Sequence, residues 1–153
     1  MDQPVIASTQ YVAACPGCGA GAEWHGVQVL LAGAGSLRWD TECACPACGS
    51  SAAVCDDELP DGLREQLLAE HGRATLQVSP SARSAPVMQV LRASLGLDLT
   101  AAKAALHRIR LGEYTGTLPE TELLARRLRA SGVDAVARSP ARAHEAWGMG
   151  HGA

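Results

Sequence analysis

The pentapeptide Cys15-Pro16-Gly17-Cys18-Gly19 returns in the same pattern as Cys45-Pro46-Ala47-Cys48-Gly49. Each copy sets two thiols across a tight turn, in which Pro fixes one φ angle and the closing Gly is free to take a positive one. Four thiols from two such turns meet the ligand count and spacing of a tetrahedral, sulfur-bound metal, with Zn2+ the first choice. A chain with this pair has to bring the two turns together. That requirement fixes one folding nucleus early in the sequence and makes the second half a separate question.

Between the turns, Trp24, Val27, Val29 and Leu31 are β-prone, Gly33-Ala34-Gly35 breaks the run, and Leu37, Trp39 and Thr41 continue it. The pattern predicts a hairpin in which the odd positions Val27, Val29, Leu31, Leu37 and Trp39 share a buried face. A short strand at Gln10-Tyr11-Val12-Ala13 delivers Cys15, after a brief lead over residues 1 to 10. The whole resembles a zinc ribbon, in which metal stands in for a core too small to hold itself together. Its ligands are expected to be Cys15, Cys18, Cys45 and Cys48. Cys43 and Cys55 are expected as small buried apolar residues; attack by one of them on an oxidised ligand is the alternative. The same knuckles hold iron in rubredoxin-like carriers, but the hairpin and the scarcity of aromatic residues favour zinc.

Six cysteines would also suit three disulfides, but Met1-Asp2-Gln3-Pro4 has no basic region and no apolar run follows it. The expectation is therefore a reducing cytoplasm with metal-bound thiolates. No stretch reaches the roughly 18 apolar residues of a membrane span. The formal charge of −3 conceals an asymmetry. Residues 1 to 72 carry two basic side chains against ten acidic ones, a net of −8, and residues 73 to 153 carry eleven against six, a net of +5. With no Phe, three Trp and two Tyr in 153 residues, the chain offers little surface for stacking bases.

Composition and pattern predict an α+β protein with a ribbon over residues 1–58, a linking helix over 59–72, a second domain over 73–138 and a tail over 139–153. The linking helix shows an apolar stripe of Leu63, Leu67 and Leu68, with Pro60 in its first turn. Beyond it come a strand over 74–78, a polar loop over 79–86, a helix from Val87 to Arg92 that breaks at Gly96, and a helix over 100–106 capped by Thr100. A strand over 111–115 follows, then a helix opened by the capping box of Thr117 and Glu120, with Leu123, Leu124 and Leu128 on one face. Ser131-Gly132 ends that helix, and 133–137 alternates as a last strand.

Three blocks in this half carry a resemblance: Val87-Met88-Gln89-Val90-Leu91-Arg92, Leu97-Asp98-Leu99-Thr100-Ala101-Ala102-Lys103, and Leu128-Arg129-Ala130-Ser131-Gly132-Val133-Asp134-Ala135-Val136. Residues 74 to 137 resemble the C-terminal domain of the bacterial ribosomal stalk protein, which recruits translational GTPases. The resemblance implies a β-α-α-β-α-β fold and a partner-contacting surface on its two short helices, at Met88, Arg92 and Lys103. This chain departs from the family at Ser84 and Gln89, where Lys is usual, and at Ala101, where Glu is usual. The ribbon replaces the family's N-terminal dimerisation region.

No catalytic constellation accompanies these modules. His25, His71, His107, His144 and His151 are scattered, and a four-thiolate metal leaves no coordination position open for water. The expectation is a non-enzymatic interaction or adaptor protein that serves another protein, a toxin-neutralising role being one form. A ribosome- or nucleic-acid-associated factor using Arg108, Arg110, Arg126, Arg127 and Arg129 is the first alternative. A thiol sensor that releases zinc is the second.

Overall fold

The computed structural model describes residues 3–32 and 35–140, so the Gly33-Ala34 break and the tail beyond Pro140, with His144 and His151, lie outside the described residues. The chain divides into two compact units, Met1–Glu70 and His71–Ala153. The described residues form a mixed α+β structure with four helices and two antiparallel sheets.

In the first unit, β1 (Val5–Ala14), β2 (Gly21–Leu30), β3 (Leu37–Ala44) and β4 (Ser51–Asp56) form a meander in the order β1-β2-β3-β4. The strand expected at 10–13 thus runs over ten residues, and a fourth strand forms where none was expected. The reason is that each Cys turn closes its own hairpin: the first joins β1 to β2, the second joins β3 to β4. A turn that reverses the chain supplies each flanking segment with a partner, which lets even the Ala- and Ser-rich β4 pair with β3.

The expected face is right for β3 and wrong for β2. Gln28 pairs with Trp39 and Leu30 with Leu37, so even positions of β2 share a face with odd positions of β3. Ala22, Gly26, Gln28 and Leu30 are buried on that face; Val29 is buried as expected but on the opposite face, and Leu31 is exposed and lies beyond the strand. A register offset of one residue moves a strand's whole side-chain set to the other face. Helix α1 (Asp61–His71) covers this face: Leu67 packs on Ala7 and Trp39, with Tyr11, Leu59 and Leu63 around them. Gln66 Nε2 donates to the Gln10 carbonyl (2.7 Å) and to Thr9 Oγ1 (2.6 Å), fastening α1 along β1.

The second unit runs β5 (Ala74–Val78), α2 (Ser84–Leu95), α3 (Leu99–Arg110), β6 (Thr115–Gly116), α4 (Leu118–Ala130), β7 (Ala135–Arg138), with the sheet order β6-β5-β7. Its core gathers Leu76, Val87, Leu91, Leu106, Leu124 and Leu128. Four boundaries differ from expectation. Helix α2 begins at Ser84, because Pro86 falls in its first turn, where the backbone N–H groups have no intrahelical acceptor and a missing N–H costs nothing. Asp98, not Thr100, caps α3: its Oδ1 accepts from the Ala101 N–H at 2.7 Å. Helix α3 continues to Arg110, which leaves Leu111 as an exposed cap residue and shortens β6 to two residues. The last strand starts at Ala135. The capping box of α4 forms as expected, with Thr117 and Glu120 exchanging side-chain bonds to each other's backbone N–H.

Candidate metal centre

Both Cys turns use the same backbone device. In the first, the Cys15 N–H donates to the Ala20 carbonyl (2.7 Å) and the Gly19 N–H to the Cys15 carbonyl (2.8 Å). In the second, Cys45 N–H donates to Ser50 and Gly49 N–H to Cys45, each at 2.9 Å. Gly19 and Gly49 sit at φ 76° and 73°, the left-handed region that a side chain would disfavour. Because β2 and β3 are neighbours, the β1–β2 and β3–β4 turns emerge side by side at one end of the sheet and their thiols converge.

The Sγ atoms of Cys15, Cys18, Cys45 and Cys48 all lie within 4.8 Å of one another. Cys15 and Cys48 are 3.8 Å apart and Cys18 and Cys45 3.7 Å. A tetrahedral ion with metal–sulfur bonds of about 2.3 Å requires sulfur–sulfur edges of about 3.8 Å, whereas a disulfide requires about 2.05 Å. The four thiols therefore fit a tetrahedral, thiolate-bound metal and are not paired as disulfides. Each turn contributes one buried thiol, Cys15 or Cys45, and one exposed thiol, Cys18 or Cys48.

Ser50 is a contributor that motif reading passed over. Its Oγ lies 2.9 Å from Cys48 Sγ and 3.5 Å from Cys15 Sγ, so one hydroxyl links ligands from both turns. The only signal for it in the sequence is its place directly after the second motif, where the first motif has Ala20. The Gly17 N–H adds a bond to Cys15 Sγ at 3.3 Å. Hydrogen bonding from Ser50, then from the backbone N–H groups of Cys18 and Gly17, draws the Cys15 thiol down to about 6. The Ser50 hydroxyl and N–H also lower Cys48. Cys18 is pushed up to about 11: the Ala20 N–H draws it down, but hydrogen bonds shared with Cys45, Cys48 and Cys15 outweigh it. Thiols this close divide the remaining protons unequally, and a bound cation is what allows all four to ionise together.

The two further cysteines part company. Cys43 is buried against Cys15, Cys45, Ala22 and Trp24, as expected, and burial followed by the nearby Cys15, Cys45 and Cys48 charges raises its pKa. Cys55 corrects the expectation: β4 is an edge strand, and Cys55 is exposed on it opposite Asp40. A hydrogen bond to Asp40, and then the Asp40 charge, push its thiol up. Among the described residues, neither belongs to the cluster of metal-competent groups.

The residues expected to face a partner fall on α2 and α3. A groove of about 960 Å3 is lined by Met88, Gln89, Arg92, Leu97 and Leu99, with Ser84, Ala85, Ala93 and Gly96. Lys103 is exposed on α3 but does not line this groove. The arginines of the alternative basic surface are largely engaged within the unit. Glu122 Oε1 accepts from Arg126 Nε (3.2 Å) and Arg129 (2.8 Å), and Arg129 also donates to the Ala135 carbonyl at 2.8 Å. Arg110 ties α3 to Ala82 and Ser84, and Arg108 lies 5.4 Å over the Tyr114 ring. Among the described residues, no helix is long and apolar enough to cross a membrane.

Compared with known proteins, the chain matches no family model, no curated protein and no solved structure.

Proposed function

We propose that this is a non-enzymatic adaptor: a zinc-held, ribbon-like N-terminal unit joined to a stalk-like C-terminal unit that docks a partner protein in the α2–α3 groove. The carrying observation is the groove itself, about 960 Å3 with an apolar lining of Met88, Leu97 and Leu99 beside the Arg92 cation. Arg92 and Lys103 are exposed, and their side chains engage no acceptor among the described residues. A cation at Arg92 beside these apolar side chains, with Lys103 on the neighbouring helix, suits a partner segment with an apolar face and carboxylates at its rim. Cys15, Cys18, Cys45 and Cys48 would hold the Zn2+. Four thiolates leave it no open position, so its contribution is to hold two turns together rather than to activate water.

The element order β5-α2-α3-β6-α4-β7 and the three sequence blocks support the stalk-like reading of this unit. The nucleic-acid alternative has less to draw on, because Arg126 and Arg129 share Glu122 and Arg110 is tied to the α2 entrance. Capture of partners from the native host on immobilised protein, with and without ribonuclease, tests the proposal. A protein retained by wild type in both conditions and lost with Met88→Asp and Arg92→Glu is the expected result. Capture that survives both substitutions, or that vanishes with ribonuclease, would overturn it.

A further inference from the structure

The two edges of the four-stranded sheet are treated differently. Along β1, the Gln66 side chain of α1 takes the Gln10 carbonyl at 2.7 Å, so that edge is partly closed from within. At the other edge lies β4, paired with β3 in unbroken register from Ala44↔Ser51 to Trp39↔Asp56, with no bulge. Five of its six residues are exposed, including Val54 at 49%, and its sequence Ser51-Ala52-Ala53-Val54-Cys55-Asp56 contains no Pro, Lys or Arg. Soluble proteins usually blunt a free edge with one of these devices, because alternate residues present unpaired N–H and C=O groups.

The surface beside this edge has a definite chemistry. On the sheet face opposite α1, a groove of about 500 Å3 crosses the strands, with Ala44, Ser51 and Ala53 as low ground and Gln10, Glu23, His25 and Glu42 rising around it. The Glu42 side chain is 72% exposed, its near neighbour being His25 Nδ1 at 3.6 Å. Beyond the strand, Asp56 Oδ1 accepts from the N–H groups of Asp57 and Glu58, fixing an acidic turn at its end. All of this sits in the half of the chain whose formal charge is −8.

We propose that β4 is an open edge that receives an extended, basic segment of a partner protein as an added strand. Main-chain bonds to β4 supply the pairing. Every second side chain of the added strand stands on the groove's side of the sheet beside Ser51 and Ala53, where Lys or Arg can reach across these small residues toward Glu42 on β3. The Asp56-Asp57-Glu58 turn attracts the same charge and disfavours a second copy of this chain, which would bring like charges together. This surface shares no residue with the α2–α3 groove, so failure here leaves that reading untouched.

The test uses the zinc-loaded full chain and a fluorescent octapeptide alternating Lys with Val or Thr. Three outcomes are expected together: anisotropy rises at low salt, backbone amide resonances shift from Ser51 to Cys55, and methylating alternate peptide amides abolishes binding. Glu42→Lys, at an exposed position that does not endanger the fold, should weaken binding about tenfold or more, and Ala53→Pro should do the same by removing a main-chain donor. Failure of the peptide to bind at low salt would overturn the proposal. So would binding indifferent to amide methylation, or shifts confined to α2 and α3. A concentration-dependent dimer with the same β4 amides shifted would place a second copy there and overturn the basic-segment assignment.

Discussion

A Cβ added to Gly17 would stand 3.2 Å from Ser50 Oγ, whereas the corresponding positions across the centre, Ala47 and Ala20, are both alanine. The two turns are otherwise alike in backbone bonding, so the differences form a matched exchange: the turn that faces the hydroxyl gives up its methyl group. Gly17→Ala should therefore cost about 1 kcal/mol when Ser50 is present, and less when Ser50→Ala has removed the obstacle. A double-mutant cycle in chemical denaturation should show a coupling of at least about 0.5 kcal/mol. Strict additivity would mean the hydroxyl and Gly17 are independent. Ser50→Ala alone should weaken metal binding about tenfold or more, since it removes the one hydroxyl shared by Cys15 and Cys48.

Metal removal should separate the two units. A strong chelator, or Cys15→Ser or Cys48→Ser, should abolish one equivalent of bound metal and the strand signals of β1 to β4. The core of Leu76, Val87, Leu91 and Leu128, which includes no residue of the first unit, should keep its native resonances. Cys55→Ser should retain the metal. Binding should weaken as pH falls, because protons compete for the thiolates. Elemental analysis that finds iron instead of zinc would turn the centre toward electron transfer, and loss of both units on chelation would show that they fold as one.

Much of this was legible in the sequence because it depends on local chemistry. The convergence of Cys15, Cys18, Cys45 and Cys48 followed from a repeated motif in which Pro, Gly and two thiols each have a mechanical role, and the Thr117–Glu120 box followed from a fixed three-residue spacing. What escaped depends on pairing across the chain. Whether Val29 or Leu30 faces the covering helix is decided by the register of Gln28 on Trp39, which hydrophobic alternation within either strand cannot reveal. β4 has weak strand propensity and exists because the second Cys turn folds it back on β3. Ser50 was silent for the same reason, since its second partner, Cys15, is 35 residues away.

Gly26 is the position where β2 tolerates no side chain. It lies on the covered face beside the buried Trp39, and a Cβ there would overlap the Cη2 and Cζ2 atoms of the indole. The ring has little room to retreat, because Ala7 and Leu67 pack on it. Gly26→Ala should destabilise the first unit by about 3 kcal/mol, the upper end for overpacking a core. Denaturation of the zinc-loaded protein, followed by tryptophan fluorescence, measures it. A loss below about 0.5 kcal/mol would mean that the α1–sheet layer is more deformable than its packing implies.

Cys55 and Asp40 face each other across β3 and β4, and the pair makes a prediction about reactivity. The hydrogen bond to Asp40 and the carboxylate charge both disfavour the Cys55 thiolate, so its pKa stands above the ordinary value. Arg38, 2.8 Å from Asp40, keeps that carboxylate ionised by hydrogen bond and charge, which sustains the effect through the neutral range. In the metal-loaded protein Cys55 is the exposed thiol outside the metal ligands, since Cys43 is buried. Alkylation by iodoacetamide should label Cys55 first, yet more slowly near pH 8 than a free thiol of pKa about 8.5 would react. Asp40→Asn removes the negative charge, so the midpoint of the rate-against-pH curve should move down and the rate at pH 8 should rise. Arg38→Gln should not produce that acceleration, because it leaves the carboxylate in place. An unchanged midpoint in Asp40→Asn would mean that the carboxylate does not govern the thiol.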